Sequence, residues 1–262
     1  MRKIGMSFLT AFSLYSRIPM PQIMWKKEDQ KYCLCAFPFI GLVIWGLQYA
    51  LKYFMVTWLC WQDIYVAIGL ALVPILVTGG IHLDGFMDTC DAKSSFGDKE
   101  KKLQILSDPH IGAFAVIHLL LYVAVYMLGL WNSMYYLADF RGMAFYGTTF
   151  VYARVLSGLL SATVEKARKD GMLVAVAQED GKSTAQKILV LEGLLCIALL
   201  LILDMRIGTM LILVTLFYLL LFANKIKKEF GGVTGDLAGY LLCMTECISI
   251  LVIALCYGLG WC

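Results

Sequence analysis

The chain has 262 residues, 60% of them hydrophobic and only 16% charged, and its mean hydropathy is +0.76. Soluble domains sit nearer ~45–50% apolar and ~25% charged, so a soluble class is excluded and a polytopic membrane protein in a lipid bilayer is expected. The net charge of +3 gives no reason to expect a nucleic-acid partner, and the length suits one integrated domain over residues 1–262.

Residues 4–16 read as a short interfacial helix ended by Pro19 and Pro21. The basic tip resembles that of a signal peptide, but no small-residue cleavage site follows, so the segment is expected in the mature chain. A polar connector with Lys26, Lys27, Glu28, Asp29 and Lys31 leads to a first span at about 33–51, where Pro38 and Gly41 are expected to bend the helix. A second, at about 62–79, ends where Gly79-Gly80 lets the chain turn. The acidic stretch Thr78 to Phe114 follows; its latter half, Asp98 to Ser107, has helix-forming composition. Spans are then expected at about 111–131 and 143–163, the latter carrying Arg154. A polar surface segment over 165–187 comes next, then a hairpin of spans at about 188–203 and 208–223 around Asp204-Met205-Arg206. A glycine-rich turn, KIKKEFGGVTGD, precedes the last span at about 237–260. The expected fold is thus an all-α, polytopic membrane helix bundle of about seven spans (six to eight). No internal repeat is visible, and the nine cysteines form no C-x-x-C pair and lie mostly in apolar runs, as small buried hydrophobes do.

With seven spans, the loops place all but four of the 22 Lys and Arg on the N-terminal side; Lys52, Arg141 and Arg206 fall opposite, and Arg154 lies in a span. The positive-inside rule makes the rich side cytoplasmic, together with the acidic stretch and the Gly231–Asp236 turn.

Within the acidic stretch, Asp84, Asp88 and Asp91 follow an i, i+4, i+7 spacing. On a helix, at about 100° per residue, three such carboxylates fall within roughly 60° of one another. They repel unless a cation sits among them, and acids at a membrane helix end are expensive unless they meet a ligand or water. In a soluble protein the same spacing is more often a solvated helix face, but here apolar spans flank it. Hard oxygen donors of this kind suit Mg²⁺ held with substrate phosphates. Asp108 and Asp236 stand just before spans, within reach of the same surface. Gly231 to Asp236, Gly235 included, offers amide N–H groups at a helix start to an anion, although most such turns are only turns. Glu246, ten residues into a span, either pairs with Arg154 or serves the site. His82 and His110 flank the acids as candidate proton carriers, against the commoner role of a hydrogen-bonded structural histidine, and His118 reads as helix packing. Arg17 is an interfacial anchor or a phosphate clamp, and Arg154 has the stronger case as a clamp because it lies in a span.

The order SRIPMP, GGIHLDGFMDTCDA, EKKLQILSDPHIGAFAV, GGVTGD resembles the cobalamin synthase family of adenosylcobinamide-GDP ribazoletransferases over nearly the whole chain. The resemblance implies a Mg²⁺-dependent inner-membrane enzyme. It would join adenosylcobinamide-GDP to α-ribazole, or its 5′-phosphate, releasing GMP in nucleotide-loop assembly of vitamin B12. The metal-type acids of the family fall on Asp84, Asp88 and Asp91, with His82 in the same motif. Its D-x-x-I-G motif falls on Asp108, Ile111 and Gly112, and its G-D turn on Gly235 and Asp236. Lys93, where many members have another residue, either binds a phosphate or weakens the metal. The catalytic base stays open among Asp108, Asp236 and His82, and the oligomeric state, a homo-oligomer included, stays open too. Two other classes compete. A CDP-alcohol-type phospholipid synthase would need an Ala-Arg pair where Met87-Asp88 stands, and a cation-coupled transporter usually shows inverted repeats and midplane charges.

Overall fold

A computed structural model describes residues 2–21, 32–168, 173 and 179–260, with backbone only at 2–4 and 179–182. The connector lysines 26, 27 and 31, with Glu28 and Asp29, lie outside the described residues, as does Lys169. Among the described residues the fold is all-α, and the one extended feature is a single parallel bridge between Lys166 and Val233.

Helix α1 (Arg2–Tyr15) stops one turn before the Pro19 and Pro21 pair, with Ser16 Oγ donating to Phe12 O at its end. A short α2 (Cys33–Ala36) runs into α3 (Pro38–Thr57), with Pro38 opening α3, where a missing N–H costs nothing. Gly41 lies within α3, and a Cβ there would sit 2.7 Å from the Val151 backbone, so the glycine lets α3 and α8 approach closely. Helix α4 (Asp63–Thr78) ends where Gly79 and Gly80 both take left-handed φ, 64° and 79°, and α5 (Ile81–Ser94) leaves at 92° to it. Asp98 caps α6 (Lys99–Ile105) by accepting the Lys101 N–H. Helix α7 (Ala113–Asn132) is followed by α8 (Phe140–Thr163), capped by Asp139. The hairpin of α9 (Glu179–Leu203) and α10 (Met205–Glu229) turns at Asp204, whose carboxylate accepts the Arg206 and Ile207 N–H groups. Thr234 caps α11 (Gly235–Gly258).

Among the described residues, five helices are long and apolar enough to cross a membrane: α2–α3 together, α7, residues 183–203 of α9, α10 and α11; the sharply bent pair α4–α5 would make six. The span expected at 143–163 is a 24-residue helix but fails on apolarity. The reason is its position. It packs against α3, α9 and α11 and is buried almost throughout, so its Tyr, Thr, Ser and Arg side chains meet protein rather than lipid. In a bilayer, apolar burial does little to bring helices together, so close glycine contacts and polar links carry the association.

The end of α4 and the starts of α7 and α11 meet α5 at one end of the bundle. Lys102 Nζ pairs with Glu229 at 2.8 Å there, tying α6 to the end of α10, and Val233 N–H donates to Glu165 O at 2.8 Å, tying the turn before α11 to the segment after α8. At the opposite end Lys52 Nζ donates to the Leu137 and Ala138 carbonyls, and Arg141 Nε donates to Leu203 O.

Candidate active site

Two glycines let α5 and α11 touch. A Cβ on Gly85 would stand 2.8 Å from Asp236 Cα, and one on Gly239 would stand 3.3 Å from His82 O. The acidic face of α5 is thereby held against the first turn of α11. Beside this crossing opens a cavity of about 380 Å³, lined by His82, Asp84, Arg168, Thr234, Gly235 and Asp236, with Tyr15, Ser157 and Ser161 completing the polar wall. Three of the sequence-predicted residues from α5 and the G-D turn, together with Gly235, are therefore gathered in one chamber. Gly235 and Asp236, the first residues of α11, line it, and a helix start favours an anion.

Among the described residues the charge pattern is acidic with one cation, Arg168. Asp88 stands close enough to Asp84, Asp236 and Asp91 to feel all three carboxylates, and Asp236 feels the Arg168 guanidinium and Asp84. Arg168 donates to Leu103 O, which fixes it at the cavity edge. Among the described residues, the carboxylates of Asp84 and Asp88 make no side-chain hydrogen bond or ion pair, and that of Asp236 meets the Thr234 hydroxyl at 3.4 Å. Asp91 is different. Its two oxygens accept the Gly112 N–H at 2.7 Å and the Ala115 N–H at 2.8 Å, so the third acid of the motif caps α7. Among the described residues no group of three or more His, Cys, Asp or Glu side chains is arranged to hold a metal ion. Asp84 and Asp88 carry hard carboxylate oxygens of the kind that suit Mg²⁺, with Asp236 near enough to Asp88 to feel its charge.

The remaining predicted residues fall elsewhere. Asp108 is exposed and lines none of these cavities; it accepts the His110 N–H at 2.9 Å and bonds the ring Nδ1 at 2.7 Å. Those bonds hold its carboxyl below the usual range. Lys93 Nζ bonds the Tyr240 hydroxyl at 2.7 Å and sits 4.2 Å over that ring, away from the chamber. Arg17 packs on Gly79 and shares with Asp84 a separate hollow of about 570 Å³. Arg154 and Glu246 form a buried ion pair at 2.9 Å between α8 and α11. His82 is buried, edge-on to Phe37 at 5.5 Å between ring centroids, and its Nε2 has no partner. His118 Nδ1 bonds Phe114 O on its own helix.

Sequence reasoning missed Arg168, Ser157, Ser161 and Tyr15. The i, i+4 serines of α8 were the available signal, because small polar residues on a span's one face mark a site of close packing or a polar wall. Ser157 Oγ does both, lining the chamber and donating to Ala238 O at 2.9 Å.

A family profile described as cobalamin-5-phosphate synthase matches residues 7–254. Among similar curated proteins, the adenosylcobinamide-GDP ribazoletransferase of Lachnoclostridium phytofermentans is 33% identical over 252 residues, 96% of this chain and 94% of its own. That of Clostridium perfringens is 33% identical over 93% of this chain and 95% of its own, and that of Clostridium botulinum 30% identical over 95% and 97%. No solved structure matches the chain significantly. With its motif acids gathered at one end of a helical bundle and these matches running nearly end to end, the chain belongs to the cobalamin-5-phosphate synthase family.

Proposed function

We propose that this protein is an adenosylcobinamide-GDP ribazoletransferase, joining the phospho-cobinamide moiety of its activated donor to α-ribazole or α-ribazole 5′-phosphate. The observation that carries the reading is the chamber at the α5–α11 crossing, where, among the described residues, the Asp84 and Asp236 carboxylates, a helix start and the Arg168 guanidinium line the same space. Phosphoryl transfer asks for little else: positioning of two oxygens in line and compensation of phosphate charge.

A hydroxyl oxygen of the ribazole bonds to the phosphorus on the cobinamide side of the pyrophosphate. The bond from that phosphorus to the bridging oxygen breaks, and GMP leaves with the electron pair. The hydroxyl proton passes to a base on the chamber wall, and Asp236 and His82 stand there while Asp108 does not. The α11 amides and Arg168 orient the phosphates. Mg²⁺ would be held by Asp84 and Asp88, with Asp236 beside them, and when bound would neutralise pyrophosphate charge. The chamber holds far less than a corrinoid, so the macrocycle rests outside it and only the nucleotide end enters.

The chamber lies at the bundle end that carries Lys102, Lys166, Arg168 and Lys225, the basic-rich end, which supports a cytoplasmic-facing site in the inner membrane. The test is purified protein in liposomes with donor, α-ribazole phosphate and Mg²⁺, following GMP and corrinoid product together. Equimolar, chelator-sensitive formation of both is expected. Absence of both from folded protein, across several lower bases, would overturn the reading.

A further inference from the structure

His82 is a partition. On one side lies the polar chamber, and on the other a second cavity of about 400 Å³ between α4, α7 and α11. This second space is almost wholly apolar, built from Ala71, Leu72, Val123, Met127 and Leu242, and its volume is at the small end of ligand sites. Aromatic rings run along one wall: Tyr122 and Tyr126 stack at 5.8 Å, and Phe86 backs Tyr122 at 4.9 Å. Two buried nitrogens of its lining residues have no partner, Arg154 Nε and His82 Nε2, with Arg154 fully buried and His82 only 8% exposed. A buried N–H left without an acceptor is costly, and a ligand acceptor in the cavity relieves that cost.

These features select one kind of occupant. A flat, fused two-ring heteroaromatic fits the volume and stacks on tyrosine faces. When such a base is joined to ribose through one ring nitrogen, the other nitrogen remains an in-plane acceptor for Arg154 Nε–H or for His82. An acyl chain would fill the same apolar space but leave both nitrogens unpartnered. We propose that this cavity holds the base of the acceptor nucleoside, which rests on the transfer reaction proposed above. The ribose then lies at His82 and presents its hydroxyl to the polar chamber. The base is selected here, inside the bundle, by Tyr122, Tyr126 and the buried Arg154.

The test reads binding, not turnover. Protein in nanodiscs is titrated calorimetrically with α-ribazole alone, then separately with adenosylcobinamide-GDP. Two fillings of the cavity from different helices, Ala71→Phe on α4 and Val123→Phe on α7, guard against a misfolded variant. Each is expected to weaken α-ribazole binding at least tenfold while donor affinity stays within twofold. A ribonucleoside with a single-ring base should bind wild type at least tenfold more weakly. Unchanged α-ribazole affinity in both variants would overturn the assignment and leave the cavity to lipid. Nucleoside binding lost in the variants, with no GMP released by wild type, would sink the transfer reaction and keep the site; product formed by wild type with filled cavities binding normally would do the reverse.

Discussion

Gly85→Ala is the smallest change that reaches the catalytic geometry without touching a functional side chain. The new Cβ would stand 2.8 Å from Asp236 Cα and 3.0 Å from its carbonyl oxygen. Both atoms belong to backbone, so no side chain can swing aside. To restore ordinary contact, which begins near 3.4 Å, α5 and α11 must part by about 0.6 Å. Overpacking of this kind costs ~1–3 kcal/mol. The helices that part are the ones carrying Asp84 and Asp236, so the donor set opens with them. Since a ~1 Å misplacement costs about 10²-fold in rate, a shift of this size predicts a loss on the order of tenfold in kcat/KM. The assay is GMP release in liposomes, with a melting curve on the same preparation to separate lost fold from lost alignment. Gly85→Ala within twofold of wild-type activity at full folding would refute the crossing as the element that aligns the site.

Asp84→Asn and Asp236→Asn are each expected to lower kcat/KM by at least ~10²-fold, equivalent to ~2.7 kcal/mol, as for a group acting on transition-state charge; retention of activity and Mg²⁺ dependence by Asp84→Asn would remove it from the metal site. Asp91→Ala frees two α7 amides, and at ~0.5–2 kcal/mol for a lost cap it should lower the melting temperature while the folded fraction keeps more activity than Asp84→Asn does. Arg154→Met strands Glu246 in the bundle and should cost ~3–5 kcal/mol, whereas the double change Arg154→Met, Glu246→Leu should recover most of that stability in a detergent heat-inactivation series. Asp108→Ala is expected to stay within about threefold of wild-type turnover, because its carboxylate meets His110 and not the chamber; a loss matching that of Asp84→Asn would show the loop reaching the substrate.

How much of this was legible beforehand depended on whether a residue's role was local or came from another helix. The Gly79-Gly80 turn, the Asp98 cap and the hairpin at Asp204 are decided within a few residues, and the sequence shows them. Asp91 shares the spacing of Asp84 and Asp88, and spacing alone makes the three equivalent. What separates them is that α7 begins directly over Asp91 and leaves its neighbours open, a fact of packing. Arg154 and Glu246 were each visible as costly, but their pairing requires α8 and α11 to be neighbours. Gly41 reads as a helix bender in isolation, and only the closeness of Val151 turns it into a contact point.

The polar character of α8 follows from the same packing. A helix wrapped by others need not be apolar, so composition underestimates its length, and its serines are free to line a chamber. Its arginine then meets the one acid of α11 at the same depth, 2.9 Å away. That pair, costly to bury and costly to break, fixes the register of α8 against α11. Register there decides whether Ser157 Oγ reaches Ala238 O. A charge pair in the apolar interior thus holds the serine wall of α8 against the first turns of α11, the helix that carries Asp236.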